Sequence, residues 1–522
     1  MNLKETIIGI ELGSTRIKAV LLGKDHRVLA EGSRSWENSL VNGVWTYSLE
    51  EVKEGLQDCY KDLKKDVQKK YGVLLNETGA IGISAMMHGY LPFDENDRQL
   101  CEFRTWRNTM TGPAAKELSE LFNFNIPQRW SIAHLYQAIL NKEEHLKDLS
   151  YITTLAGYVH YVLSGEKVMG IGEASGMFPI DSDTLDYDKE MAEKFNALVR
   201  EKGFDFDILK LLPKVLTAGE EGGRLTENGA LYLDPSGDLK AGIPLVPCEG
   251  DAGTGMAATD SVRVKTGNVS AGTSDFAMVV VEKMPKVHRE IDMVTTPAGK
   301  PVAMVHCNNC TSDINAWVKL IKESLELFGT TVDANALYTK LFEEALKGDK
   351  DCGGLLSYNY YSGEGVTDLD EGRPVFLRKA DSAFDLANFM RNHLYSALAT
   401  LKIGLDILTK EEGVEIDKLY GHGGYFKTPV VGQLMLSAAT GSEVSLMETA
   451  GEGGPYGMAL LGAYMLWKQE GESLEDYLDH KVFNTSKVTT LMADKEDIEG
   501  FNSYLEAYKK ALVVEKTAIE NY

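Results

Sequence analysis

The sequence predicts an α/β protein assembled from two related halves, and three observations carry that expectation. Its 522 residues exceed what one hydrophobic core usually serves. A strand, a small-residue turn and a second strand open the chain, and the same succession returns about 260 residues later. After the opening hairpin an amphipathic helix follows, and strand character then returns.

The opening stretch, TIIGIELGSTRIKAVLLG, has apolar runs at Ile7, Ile8 and Ile10 and again from Ile17 to Leu22. Between them Gly13-Ser14-Thr15 offers backbone donors and two hydroxyls, with Arg16 and Lys18 close behind; a phosphate-facing hairpin and a plain structural turn both fit. Neither GxxxxGK[ST] nor a helix-opening GxGxxG is present there. In YSLEEVKEGLQDCYKDLKKDVQKKYG, Ser48 stands as N-cap before Val52, Leu56, Tyr60 and Leu63, which predicts an amphipathic helix. Strand character returns in AIGISAMMHG, ending at Met87 and His88. Strand ends are where open α/β sheets bind ligands, although a core histidine would read the same way. The loop FRTWRNT adds Arg104, Trp106, Arg107 and Asn108, a combination suited to a sugar or to a solvated turn.

From Gln128 to Asp188 the pattern is mostly helical. The middle of the chain then concentrates its chemistry in PCEGDAGTGMAATDSVRVKTGNVSAGTSDF, Pro247 to Phe276. Asp251 lies among glycines in EGDAGTG, where a sharp turn would push a lone carboxylate outward as a general base; two surface turns are the alternative. The SAGTS loop, Ser270 to Ser274, lies between two further strands and repeats the opening hairpin. Equivalent hairpins facing each other across a cleft are the natural product of such a duplication. Leu394, Leu398, Leu401, Leu405 and Leu408 mark a long core helix stopped at Gly413. A strand then ends in Gly421-His422-Gly423-Gly424, and a helix is expected from about Thr428-Pro429. More glycine follows in residues 448–454, ahead of a small-residue helix.

Composition narrows the function. Lys plus Arg total 54 against 78 Asp plus Glu, a formal net charge of −24, which argues against nucleic acid or an anionic membrane as partner. No signal peptide and no apolar run near the ~18 residues of a membrane span are visible, so a cytoplasmic location is expected. Six scattered cysteines predict reduced thiols, with HCNNC as the one metal-type spacing, short of the four ligands a structural zinc needs.

Taken together, GIELGST, MHG, W-x-N, EGDAGTG, SAGTS and GHGGYFKTP resemble the FGGY family of carbohydrate kinases over roughly residues 7 to 465, and within it the pentulose kinases, the xylulokinases above all. The resemblance implies two actin/hexokinase-like (ribonuclease H-like) domains facing a central cleft, 1–262 binding sugar and 263–522 binding nucleotide. It implies ATP and Mg²⁺, phosphate transfer to the terminal hydroxyl of a ketopentose, D-xylulose first and L-ribulose second, and a small-molecule sugar as partner, with a homodimer as one compatible assembly. Asp251 matches the catalytic base, and Met87 and His88, with Trp106 and Asn108, the sugar site. Gly13, Ser14, Thr15 and Lys18 match the first phosphate hairpin and Gly272, Thr273 and Ser274 the second. Gly423, Gly424 and Lys427 match the adenosine loop, and Glu11 with Asp251 the metal side. Two departures stand out: Glu11 and Asn108 occupy positions where the family usually has Asp, which touches metal geometry and sugar identity. An actin-like or chaperone-like ATPase without sugar transfer would share the fold, but would have no need of MMHG and TWRN.

Overall fold

The computed structural model describes residues 1–447, 453–484 and 487–522; the glycine-rich stretch 448–452 lies outside them. The chain divides into two units. The first comprises Met1–Val262, Met293–Val302 and Glu452–Ser486, the second Arg263–Asp292, Ala303–Gly451 and Lys487–Tyr522.

In the first unit, β1 (Ile7–Leu12) and β2 (Arg16–Leu22) form the expected antiparallel hairpin, with Glu11 directly opposite Lys18. β3 (Val28–Ser35) extends the sheet beyond β2, β4 (Ala80–Ala85) runs parallel to β1, and β5 (Glu249–Gly250) lies outside β4. The first helix, α1 (Leu49–Tyr71), starts at Ser48 as anticipated, closed by a reciprocal capping box with Glu51, and buries Val52, Leu56, Tyr60 and Leu63. β5 passes directly into α2 (Asp251–Ala258). This corrects the expectation of a glycine turn around Asp251: the residue opens a helix, and its neighbouring glycines permit close packing.

The tightest packing comes from the far end of the chain, where α4 (Gly454–Trp467) returns to the first unit. α4 follows α3 (Leu386–Asp406), the long core helix of the second unit. A Cβ at Gly9 of β1 would stand 2.0 Å from the Pro455 carbonyl oxygen, and one at Gly457 would stand 1.9 Å from the Thr254 carbonyl oxygen of α2. Glycine at those two positions therefore brings sheet, α2 and α4 into backbone contact, closer than any side chain allows.

The second unit repeats the opening motif. β6 (Thr266–Ala271) and β7 (Asp275–Val280) form the second hairpin, flanked by β8 (Pro301–Cys307) beside β7. β9 (Lys418–His422) pairs parallel to β6, and β10 (Glu443–Met447) and β11 (Val488–Leu491) complete the sheet on that side. The helix after the GHGG strand begins at Val431, not at Thr428-Pro429. Val430 explains the delay: its φ of 74° and ψ of −47° with the Val431 N–H on the Pro429 carbonyl (2.9 Å) form a γ-turn of the strained, positive-φ kind, which no helical start can include. Among the described residues no helix is long and apolar enough to cross a membrane.

Gly457→Ala tests the packing junction. The added methyl meets backbone, which cannot rotate away, so the variant should lose roughly 1–3 kcal/mol of unfolding free energy in denaturant titration. A variant as stable as the parent would show that α4 does not hold α2 in this way.

Candidate active site

Asp251 gathers the first unit's chemistry. As the first residue of α2 its carboxylate lies at a helix N-terminus, and its Oδ1 accepts the backbone N–H of Met87 at 3.1 Å. The side chain is exposed to solvent although protein crowds it on its other sides, and that crowding pushes its carboxyl above the usual range, against the pull of the surrounding N–H donors. Glu11, half-buried on β1, is pushed up to about 7, first by desolvation and then by the charge of Asp251, with Lys18 opposing. The Glu11 carboxylate is seated at the N-terminus of α4: a Cβ at Gly454 would stand 2.2 Å from its Oε1.

Two further carboxyls lie behind Asp251, and sequence reasoning missed both. Glu249 is buried, accepts the N–H groups of Gly172 (3.2 Å) and Glu173 (2.9 Å), and is pushed by burial up to about 8. Glu173, wholly buried, is held well above the carboxylate range by desolvation, with Glu249 and Asp251 adding to the push. The only signal in the sequence is a carboxylate interrupting the apolar run VPCEG.

Met87 and His88 sit where the sequence put them, at the end of β4. His88 adopts φ 74°, rare for a residue with a side chain, and lies buried against Trp130 with its Nδ1 3.3 Å from the Gly176 carbonyl oxygen. The W-x-N loop behaves differently. Trp106 is 40% exposed. Asn108 is buried and clamps Trp45 from both ends, its Oδ1 accepting the Trp45 N–H and its Nδ2 donating to the Trp45 carbonyl, each at 2.9 Å, with a further bond to the Thr105 carbonyl. Arg104 pairs with Glu143, and Arg107 stacks over Trp45 at 4.1 Å. Arg104, Arg107 and Asn108 thus bond neighbouring protein groups, while Trp106 stays exposed.

In the first hairpin the Gly13 N–H returns to the Arg16 carbonyl at 3.0 Å, while Ser14 and Thr15 face outward at least in part. The second unit carries the other hairpin and the glycine loop. The Gly272 N–H returns to the Ser274 carbonyl at 2.9 Å in the same manner. Gly423 has φ 99° and lies so close to β6 that a Cβ would stand 2.4 Å from the Ala271 carbonyl oxygen, whereas Gly424 and Lys427 are exposed. Behind this hairpin Asp275, Cys307 and Cys310 are buried, and burial pushes all three groups up. All six cysteines are free, and among the described residues no group of three or more His, Cys, Asp or Glu could hold a metal ion. Within HCNNC, Cys307 and Cys310 are buried and Asn308 is exposed.

Two stretches of the chain match the two domains of one family. Residues 6–257 match the N-terminal domain of the FGGY family of carbohydrate kinases and residues 267–466 its C-terminal domain. The chain belongs to that family and is a carbohydrate kinase, with the two-domain architecture of actin/hexokinase-like sugar kinases. A curated relative, the xylulose kinase of Haemophilus influenzae, is 21% identical over 96% of this chain and 98% of its own. Two crystal structures from Lactobacillus acidophilus, a ligand-bound xylulose kinase and a gluconate kinase, each superpose with a TM-score of 0.79 at 14% identity, covering 98% of both chains. Equal likeness to kinases of two different sugars shows the fold, and leaves the substrate to the site.

Glu249 provides a test by pH. Its carboxyl titrates near 4.5 when unfolded and near 8 when folded, so the folded state binds the proton more tightly and stability falls as pH rises from about 4.5 to about 8. Glu249→Gln, which cannot ionise, should remove that loss: the stability difference between variant and parent, from urea titrations, should shift in the variant's favour across this window. A difference independent of pH would place the Glu249 pKa in the ordinary range.

Proposed function

We propose that this kinase transfers the γ-phosphate of ATP to the terminal hydroxyl of a ketopentose, D-xylulose before all others. The observation that carries the reading is the 3.1 Å hydrogen bond from the Met87 N–H to Asp251, which joins the base to the strand end matched to sugar binding.

Phosphoryl transfer asks the protein for alignment, charge neutralisation and a group to take the hydroxyl proton. Asp251 takes that proton. Desolvation by the protein crowding its other sides raises its basicity, and the Met87 N–H fixes which oxygen faces the acceptor. Met87 and His88 present the strand end to the sugar, with Trp106 as the exposed ring of the neighbouring loop. The donors of Gly13-Ser14-Thr15 and Gly272-Thr273-Ser274, with Lys18, suit a polyphosphate, and the open glycine loop at Gly423-Gly424, with Lys427, suits the nucleoside. Two carboxylates, Glu11 and Asp251, suit Mg²⁺, an ion that keeps several waters and takes one or two protein ligands. When bound, Mg²⁺ supplies neutralising charge for the phosphate oxygens.

The ketopentose assignment rests on the MHG strand end and on the full-length likeness to a xylulose kinase. L-Ribulose is the second candidate because Asn108, in place of the family's Asp, spends its amide on the Trp45 backbone and is not available to read a sugar hydroxyl.

A coupled ADP-release assay with Mg²⁺-ATP across ketopentoses, aldopentoses, hexoses, gluconate and glycerol tests the substrate. D-Xylulose or L-ribulose should lead in kcat/KM by at least about 10²-fold, the discrimination of a site that hydrogen-bonds particular hydroxyls. Gluconate or glycerol in first place would overturn the ketopentose reading. In the same assay Asp251→Asn should lose ~10²- to 10⁴-fold in kcat while still binding sugar. Near-parental turnover would exclude Asp251 as the base.

A further inference from the structure

Both hairpins share a feature that their sequences do not. In the first, the Trp36 indole Nε1–H donates to the Gly13 carbonyl at 2.7 Å, and the Tyr47 hydroxyl donates to the Ser14 carbonyl at 2.6 Å. The Trp36 N–H takes the Thr15 carbonyl at 3.1 Å. The two rings stack 4.2 Å apart, and Tyr47 is 1% exposed. In the second hairpin the main chain does the same work. The Thr311 N–H (3.0 Å) and hydroxyl (2.6 Å) both donate to the Gly272 carbonyl, and the Cys310 N–H donates to the Thr273 carbonyl at 2.9 Å.

In a planar trans peptide the carbonyl and the following N–H point in opposite directions. Fixing the Gly13 and Ser14 carbonyls therefore aims the N–H groups of Ser14 and Thr15 the other way, and fixing the Gly272 and Thr273 carbonyls aims those of Thr273 and Ser274. None of these four N–H groups has a backbone acceptor among the described residues. Successive N–H groups aimed the same way, with their carbonyls held aside, form an anion-binding nest. A free hairpin could instead turn its carbonyl oxygens toward the anion and repel it.

We propose that Trp36 and Tyr47 are positioning residues for nucleotide phosphate: they hold the peptides of the first hairpin with their N–H groups facing the ligand, as Cys310 and Thr311 do for the second. Trp36 and Tyr47 lie outside every motif, and the position of the HCNNC-T segment acquires a purpose. The inference rests on the kinase reading, because it takes the anion to be the phosphates of ATP.

The test uses Trp36→Phe, Tyr47→Phe and Thr311→Val, which delete a donor and keep most of the shape. Calorimetric titration with a non-hydrolysable ATP analogue and with adenosine separates phosphate from nucleoside. Each variant should bind the analogue roughly three- to tenfold more weakly, the worth of one hydrogen bond, with adenosine and D-xylulose affinities unchanged. KM for ATP should rise accordingly, with thermal unfolding moving little. Unchanged affinity for the analogue overturns the proposal, and so does an equal loss for analogue and adenosine, which marks a merely structural role. The kinase reading is judged apart from this, on the parent's sugar-dependent ADP release.

Discussion

The contact on which the first unit's site depends is the backbone-to-backbone approach of α4 to β1 and α2. Pro455 lies over Gly9, and Gly457 lies over the Thr254 carbonyl, at spacings that exclude even one methyl group. Because α4 touches both, it sets the height of α2 above the sheet, and Asp251 stands at the first turn of α2. The same helix places its N-terminus against Glu11, so one element fixes both carboxylates of the proposed metal and proton chemistry. Dense packing transmits displacement instead of absorbing it, and a junction made of backbone has no rotamer with which to yield.

Around that junction the protein keeps an unusual amount of carboxyl in poorly solvated places. Glu11, Asp251, Glu249 and Glu173 all have their protons held more tightly than in water, each chiefly by desolvation. The arrangement grades them. Glu173 and Glu249 are buried, so they serve as neutral packing and hydrogen-bonding groups near neutrality. Asp251 reaches solvent, and Glu11 reaches it in part, so these two can ionise where a cation and a proton donor arrive. Paired titratable groups whose surroundings separate their pKa values are a common basis for assigning acid and base roles.

The two hairpins show how a duplicated fold meets one requirement with different materials. Holding carbonyls away from an anion needs donors behind the turn. The first half supplies them largely from the side chains of Trp36 and Tyr47, the second from the backbone and hydroxyl after Cys307. No similarity in sequence between these supports is required, because the constraint acts on peptide orientation and any suitably placed donor satisfies it.

The sequence by itself determined the local elements. Apolar runs and small-residue turns marked both hairpins, Ser48 marked the start of α1, and strand character brought Met87 and His88 to a strand end. These are short-range effects of propensity, capping and patterning, and they are readable in a window of a dozen residues. Tertiary structure decided the rest. Asp251 opens a helix and not a turn, a helix that meets α4 at backbone distance, and glycine serves either use. Asn108 looked like a ligand for sugar and became a clamp on Trp45, since an amide binds whichever donor and acceptor the fold brings near. Glu173 and Glu249, separated by 76 positions, became neighbours only when the chain folded, as did Glu11 and Gly454, residues from opposite ends of the sequence. Long-range proximity carries no periodicity, so nothing in the order of residues could have announced it.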